Sequence, residues 1–232
     1  MLFRSQIIES DNCVGLTGGT VTLSFKAKVS ATTKLDNVKA AVVAWSGTAD
    51  TVTSDIISAW GAEGTNPTLI ANATYENTPA NLSVTTSYAT YSITASVDTA
   101  STTNIIVFIW SDVTDTTAGD FLYVTDVQLE PGPVATPFEQ RPIGTELALC
   151  QRYYETSGGA GGSAFLTARP DSVNIGASSV GYAAEKRATP TVTITNNNAA
   201  ATVSSNTTRG FGVTFSANVS YQACGYLSSA KL

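Results

Sequence analysis

From Val21 to Val29 (VTLSFKAKV) apolar residues occupy every odd position and polar or small ones the even positions. Alternation with period two predicts a strand with one wet face. Val38 to Trp45 is almost continuously apolar and predicts a more buried strand. Ala89 to Val97 alternates through Tyr91, Ile93, Ala95 and Val97. Asn104 to Trp110 (NIIVFIW) is the most apolar run and predicts a central strand. Phe121 to Leu129 is read with Phe121, Tyr123, Val127 and Leu129 on one face and Thr125 between them. Turn-rich stretches separate these runs: SGTAD at 46–50, GAEGTNP at 61–67 and DTTAGD at 115–120. Strands of this length and spacing predict a β-sandwich of jelly-roll type over residues 1–130.

The pattern stops at Pro131-Gly132-Pro133-Val134-Ala135-Thr136-Pro137, where three prolines in close succession exclude a central strand. With Arg141-Pro142-Ile143-Gly144 this segment predicts a stiff connector over 131–144. A second, smaller β-sandwich is expected over 145–232. Its first element, Glu146 to Thr156, has a possible helix cap in Thr145, but Gln151, Tyr153 and Tyr154 favour a strand. Further strands are expected at 163–168, 172–184, 190–195, 211–219 and 221–228. A Gly-rich loop is expected at Ser157–Gly162, and a turn at Asn196–Asn198. The expected fold is therefore all-β throughout, and the scarcity of Lys, Glu, Gln, Arg and Met beside abundant Thr and Val agrees.

Composition narrows the chemistry. Of 232 residues only 13% are charged, about half the usual share. With 43% hydrophobic residues the chain has enough apolar content for a packed core, which argues against disorder. Twelve Lys and Arg against eighteen Asp and Glu give a net charge of −6, which argues against binding nucleic acid by phosphate neutralisation. The chain has no His, which removes Ser–His–Asp and Cys–His catalysis and most zinc sites. Cys13, Cys150 and Cys224 are widely spaced, odd in number and without a CxxC pair, and read as small buried thiols. No apolar run is long enough to span a membrane, and the opening MLFRSQIIES lacks a signal-peptide hydrophobic stretch.

Few residues remain as candidates for a site. Asp112, Asp115 and Asp120 flank the loop after the NIIVFIW strand, and read either as calcium ligands or as turn residues. Asp126 lies inside a strand with apolar neighbours, and reads as a metal ligand with Glu9 as partner, or as a surface carboxylate. A structural calcium is the only cofactor in view. The carboxylates include no pair marked as a glycosidase couple, and SGGAGG lacks the Lys-Ser/Thr ending of a phosphate loop. Trp60 and Trp45 sit at strand ends beside Gly and read as core packing or, with an indole face left exposed, as rings that stack on a sugar. Tyr75 joins them as a candidate glycan contact. Trp110 ends the most apolar strand and reads as core.

The string Asp120-Phe121…Val127-Gln128-Leu129-Glu130-Pro131-Gly132…Ala135-Thr136-Pro137-Phe138-Glu139…Arg141-Pro142, then Glu146-Leu147…Cys150-Gln151-Arg152-Tyr153-Tyr154, resembles a junction found in bacteriophage tail-fibre and related virion proteins. There a jelly roll like a carbohydrate-binding module leads into a C-terminal β domain. Gly18 to Lys28 looks like an early strand of the same jelly roll, and Tyr221 to Leu227 resembles loosely the closing strand of the last domain. Lys186 to Thr193 looks like a strand of that domain, with Lys186 where the family pattern has Met. The chain departs from the family before Gln6, where members carry more strand material. The departure reads as a shortened jelly roll, a first strand supplied by a partner chain, or a short stand-alone spike or head decoration protein.

The resemblance implies a non-enzymatic virion component, a homotrimeric tail fibre or spike that recognises a host-surface glycan beside other phage virion proteins. It implies neither nucleic-acid binding nor membrane insertion. The alternative is a capsid decoration, cement or head-fibre protein that touches no sugar. A polysaccharide depolymerase is the weakest reading, because no repeat of a β-helix is visible.

Overall fold

The structure is a computed structural model that describes residues 2–53, 55–156, 166–168, 176–195, 201–215 and 222–230. It is all-β, with two short helices among the described residues. The chain divides into two units, Met1–Glu139 and Gln140–Lys231.

The first unit opens with a strand that the hydrophobic pattern did not announce, β1 (Leu2–Ile8), followed by a single helical turn, α1 (Ser10–Cys13). Then come β2 (Thr20–Val29), β3 (Val38–Trp45), the short β4 (Ile57–Ala59), β5 (Thr68–Leu69) and β6 (Ala73–Tyr75), and the longer β7 (Ala89–Ser96), β8 (Asn104–Ser111) and β9 (Leu122–Pro131). One sheet has the order β1-β8-β3-β6, a second the order β7-β2-β9, and β4 and β5 form a separate pair. All pairings are antiparallel, and the chain switches sheets at β1–β2–β3 and at β7–β8–β9, a jelly-roll-like path.

The alternation in β2 places Val21, Leu23, Phe25, Ala27 and Val29 against Val38, Ala40, Val42, Ile105, Val107 and Ile109 of the facing sheet. Each large side chain fully buried in this way contributes about 1.5–3 kcal/mol relative to exposure. The uninterrupted NIIVFIW run has a different cause. β8 lies between β1 and β3 and is covered on both faces. Its other face, Ile106, Phe108 and Trp110, joins Ala41 and Val43 in a second core roofed by Val52, Ile56, Trp60, Leu69 and Tyr75. The segment carrying β4 and β5 is thus a third layer.

Two features of β9 depart from expectation. First, Ser24 is paired with Gln128 and Lys26 with Thr125, so Phe25 faces two residues, Asp126 and Val127. This bulge has Asp126 at φ 51°, a left-handed conformation that Asp tolerates better than most residues. The extra residue inverts the alternation. Leu122, Val124 and Leu129 pack on the core, and Phe121 and Tyr123 are exposed. Second, most of the Pro-rich segment belongs to the first unit. Gly132, at φ 103°, turns the chain back, and its carbonyl accepts from the buried Thr22 hydroxyl at 2.7 Å. The Thr136 amide donates to Glu130 at 3.2 Å, and the Glu139 amide to Gln128 at 2.9 Å. Pro131 ends the β9 ladder opposite Val21, and beyond it the prolines exclude the segment from a strand, so that polar side chains of β2 and β9 satisfy its backbone instead.

A chain ending at Pro142 is expected to remain soluble and to melt cooperatively. One ending at Pro131 is expected to be about 1–3 kcal/mol less stable, because Thr22, Gln128 and Glu130 lose their partners. Calorimetry of both fragments checks this, and aggregation of the longer one would show that the halves share a core.

The second unit begins with a helix, α2 (Ile143–Gln151), where a strand was expected. Pro142 supplies the N-cap residue, its carbonyl accepts from the Thr145 amide at 2.9 Å, and Glu146 sits in the first turn, where the helix dipole favours an acid. Only the last part of the expected strand survives, as β10 (Tyr154–Thr156). The remaining strands are β11 (Leu166–Ala168), β12 (Gly176–Gly181), β13 (Thr191–Thr195), β14 (Ala201–Asn206), β15 (Gly210–Phe215) and β16 (Gln222–Ser229). β16 pairs with β10, β11 and β13, while β12, β15 and β14 form a second sheet. Of these, β14 was not expected. The expected loop at 157–162 and turn at 196–198 lie outside the described residues.

Val180, Phe211, Val213 and Tyr226 make this unit's core. Beside it the buried Lys186 pairs with Glu155 at 3.0 Å and lies 4.6 Å from the Tyr182 ring centroid. The Tyr226 hydroxyl donates to the same carboxylate at 2.9 Å, and burial, then Glu155 itself, pushes the Tyr226 pKa up. A lysine at this position is tolerated because Glu155 faces it.

Candidate functional site

The residues singled out for sugar stacking converge, but as packing. Trp60 is half-buried, its ring 6.0 Å from Phe3 and 6.3 Å from Phe108. Tyr75 stacks on Trp110 at 6.3 Å and donates its hydroxyl to the Pro67 carbonyl at 2.9 Å, and burial raises its pKa to about 12. Trp45 donates its indole N–H to the Thr48 carbonyl at 3.1 Å, and its ring closes over Gly47, where any side chain would collide with it. All three belong to the second core. The glycines beside them serve close turns rather than exposed ring faces.

The carboxylates are likewise committed. Asp126 forms an ion pair with Lys26 at 2.8 Å, and this bond, helped by Thr125, lowers its pKa. Glu9 is buried at the start of α1 after the first strand, in the other half of the sandwich. Among the described residues no three His, Cys, Asp or Glu side chains are grouped to hold a metal ion. The three loop aspartates separate in role. Asp115 pairs with Lys34 at 2.6 Å, and Asp120 accepts from the Thr117 amide at 2.7 Å, closing a turn. Asp112 is buried. It pairs with the equally buried Lys39 at 3.1 Å and accepts from the Gly64 amide at 3.1 Å. Lys39 also donates to the Gly64 carbonyl at 3.0 Å and to Asn66 at 3.1 Å, pinning the 61–67 loop over the sheet.

Cys13 is buried, and its sulfur accepts from the Ile105 amide at 3.2 Å. Burial pushes its thiol pKa up, which makes it an inert structural thiol. Cys150, expected to be buried like Cys13, is instead exposed on α2, a helix none of whose residues is buried.

An unforeseen feature lies at the edge shared by β1 and β9. There the sandwich is open, and a groove of about 580 Å³ runs between the sheets. Val107 and Ile109 of β8, with Leu122, Val124 and Val127 of β9, supply its apolar lining. Arg4, Ser5 and Gln6 of β1 supply the polar lining, and Tyr88 and Tyr123 complete it. Tyr88 is 51% exposed and Tyr123 40%. Lys28, paired with Tyr123 across β2 and β9, holds its ammonium 4.8 Å from the Tyr88 ring centroid and 5.0 Å from that of Tyr123. The cation fixes both rings by attraction to their π-faces. The bulge at Asp126 places Val127 on the groove wall. A wall of valines and leucines with a few polar groups and two ordered phenol rings suits a small amphipathic ligand. Among the described residues no carboxylate and no cysteine lines the groove.

A second cavity of about 540 Å³ is lined by Asp36, Asn37, Lys39, Glu63 and Asn81 among others, but its lysine is already spent on Asp112 and the 61–67 loop. Among the described residues no helix is long and apolar enough to cross a membrane. The chain matches no protein-family model and no curated protein sequence.

Proposed function

We propose that this chain is a non-enzymatic surface component of a bacteriophage virion, a tail-fibre or spike protein whose jelly-roll unit binds a glycan of the host surface. The observation that carries the reading is the open groove with Tyr88 and Tyr123 at its side, since phenol rings held in place offer flat apolar faces to the C–H faces of a pyranose. The junction from Asp120 to Tyr154, with its resemblance to virion proteins, supports the same reading. A glycan array probed with the full chain tests it. Binding that Tyr123→Ala weakens about tenfold, the loss of roughly 1.4 kcal/mol from one aromatic contact, is the expected result. A folded chain that binds no glycan but attaches to purified phage heads would replace this reading with that of a decoration protein.

The active assembly is proposed to be a homotrimer. Support comes from α2, none of whose residues is buried; Ile143 is 87% exposed and Leu147 57%. Ile143, Leu147 and Cys150 follow at intervals of four and three, the spacing of a coiled-coil seam. A nine-residue helix is too short to persist in water without a partner. Sedimentation velocity at micromolar concentration should give the mass of three chains, and Leu147→Asp should give one. A monomeric wild type would remove the trimer from the proposal.

A further inference from the structure

We propose that the groove between β1 and β9 takes an acidic saccharide, a sugar ring bearing a carboxylate. The inference rests on the glycan-binding reading above and adds the charge of the ligand. Its first ground is the charge distribution of the first unit, which has five Lys and Arg against fourteen Asp and Glu. Three of the five cations are paired: Lys26 with Asp126, Lys34 with Asp115 and Lys39 with Asp112. The other two, Arg4 and Lys28, form no ion pair among the described residues. Arg4 donates to its neighbour's carbonyl, that of Phe3, and Lys28 lies between two rings. Both belong to the groove region: Arg4 lines it, and Lys28 adjoins its two tyrosines. In a unit so rich in acid, one of the two unpaired cations lines the groove and the other holds the two tyrosines that complete it.

The second ground is the position of Arg4. On β1, Ile8 packs in the inter-sheet core, and Arg4 and Gln6 share its side of the strand. Arg4 is paired with Ile109 and Gln6 with Val107, whose side chains also point between the sheets. An apolar residue at position 4 would close the sandwich onto Val124. A guanidinium and an amide there keep the edge wet and present donors to whatever enters. Guanidinium forks match a carboxylate with two parallel N–H···O bonds, while Gln6 and Ser5 suit hydroxyls. Among the described residues no Asp or Glu lines the groove to repel such a ligand. In the second cavity Asp36 and Glu63 would do so.

The test uses the full chain and uronic- or sialic-acid oligosaccharides, each beside its carboxyl-reduced counterpart, with affinity read by calorimetry and the site by amide chemical shifts. The wild type is expected to bind one acidic series at least about tenfold tighter than the reduced form, with a preference that fades as salt rises. Arg4→Gln should abolish that preference, so that the acidic form binds no tighter than its reduced counterpart, in a chain that melts at the wild-type temperature. Tyr123→Ala should weaken both forms alike. Equal affinity for acidic and reduced sugars, or shifts confined to residues away from β1 and β9, would overturn the proposal of an acidic ligand while leaving glycan binding intact. Absence of binding to every saccharide, acidic or neutral, by a folded chain would overturn the glycan reading and this inference together.

Discussion

Lys39→Met is expected to destabilise the first unit by about 3–5 kcal/mol, because it leaves the Asp112 carboxylate charged, buried and without its cation. The side chains of Lys39 and Asp112 are only 5% and 2% exposed, so water cannot take over. One oxygen of Asp112, Oδ1, has no hydrogen-bond partner even in the intact protein, and the pair therefore has no reserve. The change also frees the Gly64 carbonyl and Asn66, so the 61–67 loop should lift from the sheet. In a thermal melt of the full chain the transition of this unit should fall by roughly 10 °C or more. The double variant Lys39→Met with Asp112→Leu should recover most of the loss, since removing both charges restores an apolar contact in place of an orphaned ion. A single variant within about 1 kcal/mol of wild type would mean that the pair is solvated in solution.

Legibility in the sequence followed the number of faces that each strand buries. β2 shows a clean alternation because one face packs on the core and the other carries polar residues, although Thr22 and Ser24 on that second face are also buried, where a wet face was expected. β8 shows an unbroken apolar run because the β4–β5 layer covers its second face, so the run marked a buried strand without revealing the third layer. β9 was misread by one phase. A period of two admits no extra residue, and the bulge at Asp126 inserts one. The same residue admits two readings, an inward metal ligand or a surface carboxylate, and its place in the left-handed region and its bond to the half-exposed Lys26 agree with the second. α2 was lost to its tyrosine-rich neighbours, although Pro142 followed by Glu146 and Leu147 marks a helix start.

The site was less legible than the fold. Its residues come from three places: Arg4 and Gln6 from β1, Tyr88 from the turn before β7, and Tyr123 and Val127 from β9. No local motif joins them. In β1 the two polar residues broke the apolar pattern that would have exposed the strand, so one feature hid both the element and its groove. The one signal available was a cation and an amide alternating with Phe3, Ser5 and Ile7. That pattern fits an edge strand whose second face is wet.

The tryptophans of the second core differ in consequence. Trp110 is fully buried and stacks on Phe108 at 4.5 Å with 16° between ring planes. Trp110→Ala should leave a cavity under the β4–β5 layer and cost about 3–5 kcal/mol, read by urea unfolding of the full chain. Trp110→Phe keeps a ring against Phe108 and removes an indole N–H that has no partner, so it should cost less than about 2 kcal/mol. Trp60→Ala, at the half-buried rim of the same core, should cost about 1–2 kcal/mol. Its packing on Phe3 and Phe108 makes the loss one of stability, where the position beside Gly61 had pointed to a sugar contact without structural weight. The saccharide binding proposed for the β1–β9 groove should survive Trp60→Ala, because Phe3 and Phe108, the rings that Trp60 packs on, do not line the groove. A Trp60→Ala chain that keeps its stability and loses its saccharide would return the site to the β4–β5 layer.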